Sequence, residues 1–133
     1  METVIKIKLV YIFITFYKFY ATADTINVTL VDTGTYTYDA GHDYYADITT
    51  AARVGSAKLI ATATRTLTGG VFDAADVVFT AVTGATVEAV VIWKDTGDEA
   101  TSPVIAYIEG SVTPNGGDVT IQWDSGASKI FAL

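Results

Sequence analysis

Residues 87–123 read VEAVVIWKDTGDEATSPVIAYIEGSVTPNGGDVTIQW, and this stretch decides the fold. It holds three apolar runs, Val87–Trp93, Val104–Ile108 and Val119–Trp123. Each has the length of a strand and is rich in β-branched and aromatic residues, which suit a pleated, half-buried surface. Turn signals separate them: Lys94-Asp95-Thr96-Gly97-Asp98-Glu99, then Thr113-Pro114-Asn115-Gly116-Gly117. Gly and Asn accept positive φ and Pro pre-sets φ, so the chain reverses at both places. The spacing predicts a three-stranded antiparallel meander that the rest of the chain covers as a second layer.

Outward from this centre, the signals stay those of strands. Thr25–Val31 alternates, with Ile26, Val28 and Leu30 on one face. Lys58–Leu67, Val71–Asp73 and Val77–Ala81 read as further strands, and Lys129–Leu133 as a short apolar piece that completes a sheet edge or packs on a neighbour. Asp47–Val54 suits one helical turn stopped by Gly55. The count is about eight strands, with turns at sandwich or small-barrel spacing. The expected fold is therefore all-β: a single antiparallel β-sandwich, jelly-roll-like or immunoglobulin-like, over residues 24–133.

The chain has 133 residues, half of them apolar and 17% charged, which suffices for one core. It has no cysteine, so packing and strand pairing must hold it without disulfides or thiolate metal sites. The net charge of −7 disfavours direct nucleic-acid binding and a basic membrane anchor. No phosphate-binding or dinucleotide fingerprint occurs, and the single His42 provides no histidine pair for zinc. No cofactor is expected.

Residues 1–23 admit two readings. The alternation Val4-Ile5-Lys6-Ile7-Lys8-Leu9 and the apolar run to Tyr17 suit a retained arm or strand. The same residues suit a signal peptide, with Lys6 and Lys8 as its basic region and Ala21-Thr22-Ala23 as the cleavage site. An interruption by Lys18 and a wealth of aromatic and β-branched residues favour the arm, and no stretch is long enough for a membrane-spanning helix. A retained arm so apolar needs a neighbouring subunit to cover it, which makes Tyr11, Phe13, Phe16, Tyr17 and Phe19 candidate interface residues. The turn-rich stretch Asp32–Thr50 adds Tyr36, Tyr38, Tyr44 and Tyr45, since Tyr supplies rigid contact area with a hydrogen-bonding tip.

Chemistry-bearing patterns are few. Asp-Thr-Gly occurs at Asp32-Thr33-Gly34 and at Asp95-Thr96-Gly97, as in retropepsin-like aspartic proteases, where two carboxylates share a proton. Ordinary turn chemistry explains both copies, and Lys94 precedes the second. The acidic groups Asp39, His42, Asp43, Asp47 and Asp95, Asp98, Glu99 lack Ca²⁺-loop spacing and read as solvated loops. Asn27-Val28-Thr29 matches a glycosylation sequon but lies within a predicted strand. Trp93 and Trp123 read as core or interface anchors. No catalytic or metal-binding residue is assigned.

Five segments carry a family resemblance: Asp24–Leu30, Phe72–Val77, Val90–Gly97, Thr101–Ile108 and Gly117–Asp124. In these the chain resembles a family of small tailed-bacteriophage virion structural proteins. The chain departs from that family in its apolar start and in a short Asp32–Ala57 region. The resemblance implies a non-enzymatic virion protein, foremost a capsid decoration or cement protein that binds the major capsid protein lattice and forms a homo-oligomer. It leaves a tail, fibre or collar component as the alternative. The signal-like start favours a third reading, a secreted β-sandwich adhesin.

Overall fold

A computed structural model describes residues 3–6, 8–12, 23–127 and 129–132. Eleven strands occur among them: β1 (Thr3–Lys6), β2 (Lys8–Ile12), β3 (Ile26–Val31), β4 (Arg53–Leu59), β5 (Thr66–Thr68), β6 (Val71–Asp73), β7 (Val77–Phe79), β8 (Val87–Lys94), β9 (Val104–Val112), β10 (Val119–Gln122) and β11 (Phe131–Ala132). Among the same residues the helical content is four single 3₁₀ turns. A five-stranded sheet runs β2-β9-β8-β3-β4, facing two three-stranded sheets, β1-β10-β7 and β11-β6-β5. All pairings are antiparallel except β1 with β10. The all-β sandwich expected from the sequence is present.

The predicted meander is not. Strands β8 and β9 form a hairpin with Val90 opposite Ile108, but β10 leaves for the facing layer and pairs with β7, Ile121 opposite Val77. The Pro-Asn-Gly-Gly loop explains the switch. Its backbone docks on the segment after β7: Val82 N donates to Gly117 O (2.9 Å), Gly116 N donates to Val82 O (2.8 Å), and Ala81 N donates to Asp118 Oδ1 (3.0 Å). Asn115 Oδ1 accepts the Gly117 N–H at 2.9 Å, and Gly116 sits at φ +84°, where a side chain would be strained. The reversal foreseen at this place therefore carries the chain between sheets.

The main core lies between the layers. Ile26, Val28, Leu30, Val90, Ile92, Ala106 and Ile108 face Phe72, Val77, Phe79, Val119, Ile121, Trp123, Ile130 and Phe131. The Phe72 and Phe131 rings stack with centroids 5.0 Å apart. Trp123 ties the smaller sheets together, since its indole N–H donates to Ala75 O (2.9 Å) and its backbone N–H to Asp76 Oδ1 (3.1 Å). Each large buried side chain here is worth about 1.5–3 kcal/mol, so this interface carries most of the stability.

Two predicted elements are shorter than read. The strand expected over Lys58–Leu67 ends at Leu59, because Arg65 folds back on the segment before it. Arg65 is buried, and its guanidinium donates to Ile60 O (Nε, 2.9 Å) and to Asp24 O, which requires the tight turn Thr62–Thr64 between them. Burial lowers the Arg65 pKa and nearby Asp24 partly offsets that shift. The helical turn expected over Asp47–Val54 is confined to Thr50–Ala52, and Gly55 lies inside β4 with φ +68° instead of stopping a helix.

On the outward side of β10, Thr120 stands opposite Val78, and its hydroxyl is the single buried side-chain polar atom without a partner among the described residues. Burying a hydroxyl unpaired costs about 1–3 kcal/mol. Replacing Thr120→Val, which keeps the shape, is expected to raise stability by about 1 kcal/mol in urea denaturation. A loss of stability would show that the hydroxyl is satisfied.

Candidate functional site

The five-stranded sheet is covered on both faces. Strand β8 shows why: Val90 and Ile92 point into the sandwich, while Ala89, Val91 and Trp93 point the other way. That second face is sealed by the chain's own segment 32–52, which contributes Tyr36, Tyr45, Ile48 and Ala52 to an outer core with Val31, Val104 and Tyr107.

A stack of three side chains pins the segment. Tyr45 lies flat on Trp93, with ring centroids 3.7 Å apart and planes 7° from parallel. Arg53 covers the Tyr45 ring with its guanidinium carbon 3.9 Å from the centroid. Buried Thr29 connects the stack to β3: it accepts the Trp93 indole N–H (3.0 Å) and donates to Tyr45 Oη (2.9 Å). Arg53 also donates to Ile48 O (2.9 Å) and Tyr45 O (3.1 Å), the carbonyls of the covering segment. Its remaining donors hold Glu99 in a bidentate pair at 2.9 Å, but Glu99 is half exposed. The partly solvated pair is worth at most about 1 kcal/mol, so the ring and the two carbonyls account for most of what Arg53 contributes.

Backbone stitching completes the cover. Tyr45 N donates to Ser102 O (2.8 Å) and Val104 N to Asp43 O (2.9 Å), on either side of a bridge between Tyr44 and Pro103. Tyr36 hydrogen-bonds His42 Nδ1 at 3.0 Å, and Asp39 lies 4.0 Å from His42 Nε2. This chain of polar groups closes the loop's far end.

The structure thus corrects part of the sequence expectation. Tyr36 and Tyr45 are 6% and 4% exposed, so both are spent mainly on the protein's own outer core, and of the two only Tyr36 reaches the cleft beside it. Tyr44 and Tyr38 are half-buried, and Tyr38 packs on Tyr107 with centroids 5.1 Å apart. Tyr11 lies in β2 opposite Tyr107. Phe13, Phe16, Tyr17 and Phe19 lie outside the described residues.

The two Asp-Thr-Gly copies are Asx turns at opposite ends of the β3–β8 ladder. Asp32 follows Val31, which pairs with Ala89, whereas Asp95 follows Lys94, which pairs with Ile26. Gly34 N donates to Asp32 Oδ1 and Gly97 N to Asp95 Oδ1, both at 2.8 Å. About six residues of ladder, or roughly 20 Å, separate the two carboxylates within one chain. Within one chain these two carboxylates therefore form no shared-proton dyad. The sequon is also spent internally: Asn27 donates to Asp95 Oδ2 (3.2 Å) and Thr29 is buried. Among the described residues no group of three His, Asp or Glu side chains converges on a metal position. Asp39 and Asp98 accept turn N–H groups, Asp47 accepts from Tyr44 N, and Glu99 holds Arg53.

Beside the cover a cleft of about 560 Å³ opens, lined by Tyr36, Tyr38, Tyr107, Glu88 and Glu109 among others. Glu88 holds the rim by accepting from Thr33 N at 2.9 Å, and Glu109 is exposed. Aromatic faces and carboxylates suit contact with a donor-bearing surface. The sequence reading missed Glu88, Glu109 and Tyr107. The available signal was Glu88 breaking the apolar run of β8, with Glu109 bounding that of β9.

The fold and this site define a cysteine-free β-sandwich whose larger sheet is sealed by its own loop. Comparison with protein families, with curated proteins and with solved structures finds no match.

Arg53→Met is expected to destabilise the fold by about 2–4 kcal/mol, and Glu99→Gln by under about 1 kcal/mol, in urea denaturation. Equal effects would transfer the weight to the ion pair. Burial, the largest cause, raises the pKa of Tyr36 and of Tyr45 above the ordinary tyrosine value of 10.0. Above that value the unfolded chain releases these protons first, so stability falls as the pH rises through the alkaline range and is unchanged by these groups below it. Absorbance at about 295 nm should show two late phenols ionising together with unfolding. Two early, independent ionisations would contradict the buried placement.

Proposed function

We propose that this chain is a non-enzymatic structural protein of a phage virion, a decoration or cement subunit that binds the major capsid protein lattice and copies of itself. The observation that carries this reading is where the exposed large apolar side chains lie. Leu59, Leu67 and Val78 are 53%, 44% and 42% exposed, and they sit on β4, β5 and β7. Each of these is the end strand of its sheet. An end strand presents unpaired backbone groups, and an apolar side chain beside them makes that edge suited to another chain.

Other features support the same reading. The segments resembling the phage family coincide with β3, β6, β8, β9, β10 and their turns, which form the rigid frame. The net charge of −7 keeps the subunit off packaged DNA and gives a basic patch on the lattice something to meet at the Glu88–Glu109 cleft. Stable attachment needs an interface of about 1,600 Å², and repetition over a lattice adds avidity.

Sedimentation of virions with the purified chain, followed by imaging of the particle, tests the proposal. The chain should co-sediment and appear as added density on the shell. The triple variant Leu59→Lys, Leu67→Lys, Val78→Lys should bind at least about tenfold more weakly, while its melting temperature stays within a few degrees because all three positions are exposed. A chain that stays in the supernatant and is absent from particles would overturn the reading.

A further inference from the structure

The N-terminal strands occupy one edge of the sandwich in both layers. Strand β1 is the end strand beside β10, in parallel register with Ile5 opposite Ile121. Strand β2 is the end strand beside β9, antiparallel, with Leu9 opposite Ile108. Strand β1 packs against β9 as well as β10, so β9 and β10 form the two walls of one slot. Strands β1 and β2 occupy it, and β9 and β10 are the elements against which they pack. Removing β1 and β2 would open two sheet edges at once, at Val104–Val112 and Val119–Gln122.

The tether has length to spare. Thirteen residues separate Ile12 from Ile26. Across the sheet β2 and β3 are three strand spacings apart, about 14 Å, whereas thirteen residues reach about 45 Å when extended. The tether therefore allows the segment to pair in its own slot or in that of a neighbour within reach. Both pairings form the same ladder bonds, so the choice rests on local concentration. One neighbour within about 45 Å amounts to a few millimolar, comparable to the effective concentration that a covalent connection of this length provides.

We propose that residues 3–12 are an exchangeable strand pair: when copies are packed together, the segment of a second copy occupies the β9–β10 slot. Dilute chains close on themselves, and crowding on a lattice converts closure into linkage. This inference deepens the assembly reading and rests on it only in requiring that copies meet. The partner is a second copy of this chain, identified because its own segment already fits the slot in register.

The absence of native cysteine makes disulfide trapping in the full-length protein clean. Lys8 stands opposite Glu109, and Lys6 opposite Gln122; Glu109 and Gln122 are both exposed. Two single variants, Lys8→Cys and Glu109→Cys, are mixed at micromolar and at millimolar concentration and oxidised. Peptides joining residue 8 of one chain to residue 109 of the other are then measured by mass spectrometry. Exchange predicts that the joined peptide, as a fraction of the chains, increases roughly several hundredfold between the two concentrations, following mass action. The pair Lys6→Cys and Gln122→Cys repeats the test in the other layer, should the first pair fold poorly.

Absence of both joined peptides at millimolar concentration, while each double variant closes within one chain, overturns the exchange. Light scattering on the same samples separates the two ideas. A mass above the monomer without the joined peptides sinks the exchange and leaves assembly standing. A monomer throughout removes the self-association on which both depend.

Discussion

The Arg53–Tyr45–Trp93 stack is the constraint on which the outer half of this protein depends. A five-stranded sheet with apolar residues on both faces needs two covers, and the facing sheets supply only one. The second cover is a loop, which has too little regular hydrogen bonding to hold its place unaided. Stacking Tyr45 between a guanidinium and an indole solves this in one spot: it buries the ring, satisfies the phenol through Thr29 and fixes two loop carbonyls through Arg53. The rest of segment 32–52 then follows from short turns and backbone stitches to Ser102 and Val104.

This arrangement explains why the tyrosines of the loop misled the sequence reading. A Tyr in a polar, turn-rich stretch suits an exposed contact residue, and composition alone does not distinguish that from an inward lid. The distinguishing signal lay elsewhere, in β8. Residues 89–93 are an uninterrupted apolar run, whereas a half-buried strand alternates. Such a run demands a cover on each face, and the nearest unassigned aromatic segment was the tyrosine loop. The lesson is that a contact surface should be assigned only after every apolar strand face has a partner.

Other parts were legible because local chemistry decided them. The alternation in Ile26–Val31, the turn at Asp95-Thr96-Gly97 and the closing edge at Phe131 follow from side-chain period and turn preference, and they stand as expected. The meander failed because sheet membership is not a local property. Thr113–Gly117 has the residues of a reversal in either case, and only its docking on Ala81 and Val82 shows that the chain changes layers. The break after Leu59 failed for a similar reason, since it answers to Arg65 reaching back across its own turn. Among the site residues, Glu88 and Glu109 become neighbours of Tyr38 and Tyr107 only when the β8–β9 register and the loop are both in place.

Arg65 also ties together two strand ends. By holding Asp24 O and Ile60 O together, it clamps the chain two residues before β3 to the residue that follows β4. One buried guanidinium thus fastens the entry to β3 and the exit from β4 at a single point. Losing that side chain would loosen both strand ends at once, so the outer edge of the larger sheet is only as firm as one cation held by carbonyl oxygens.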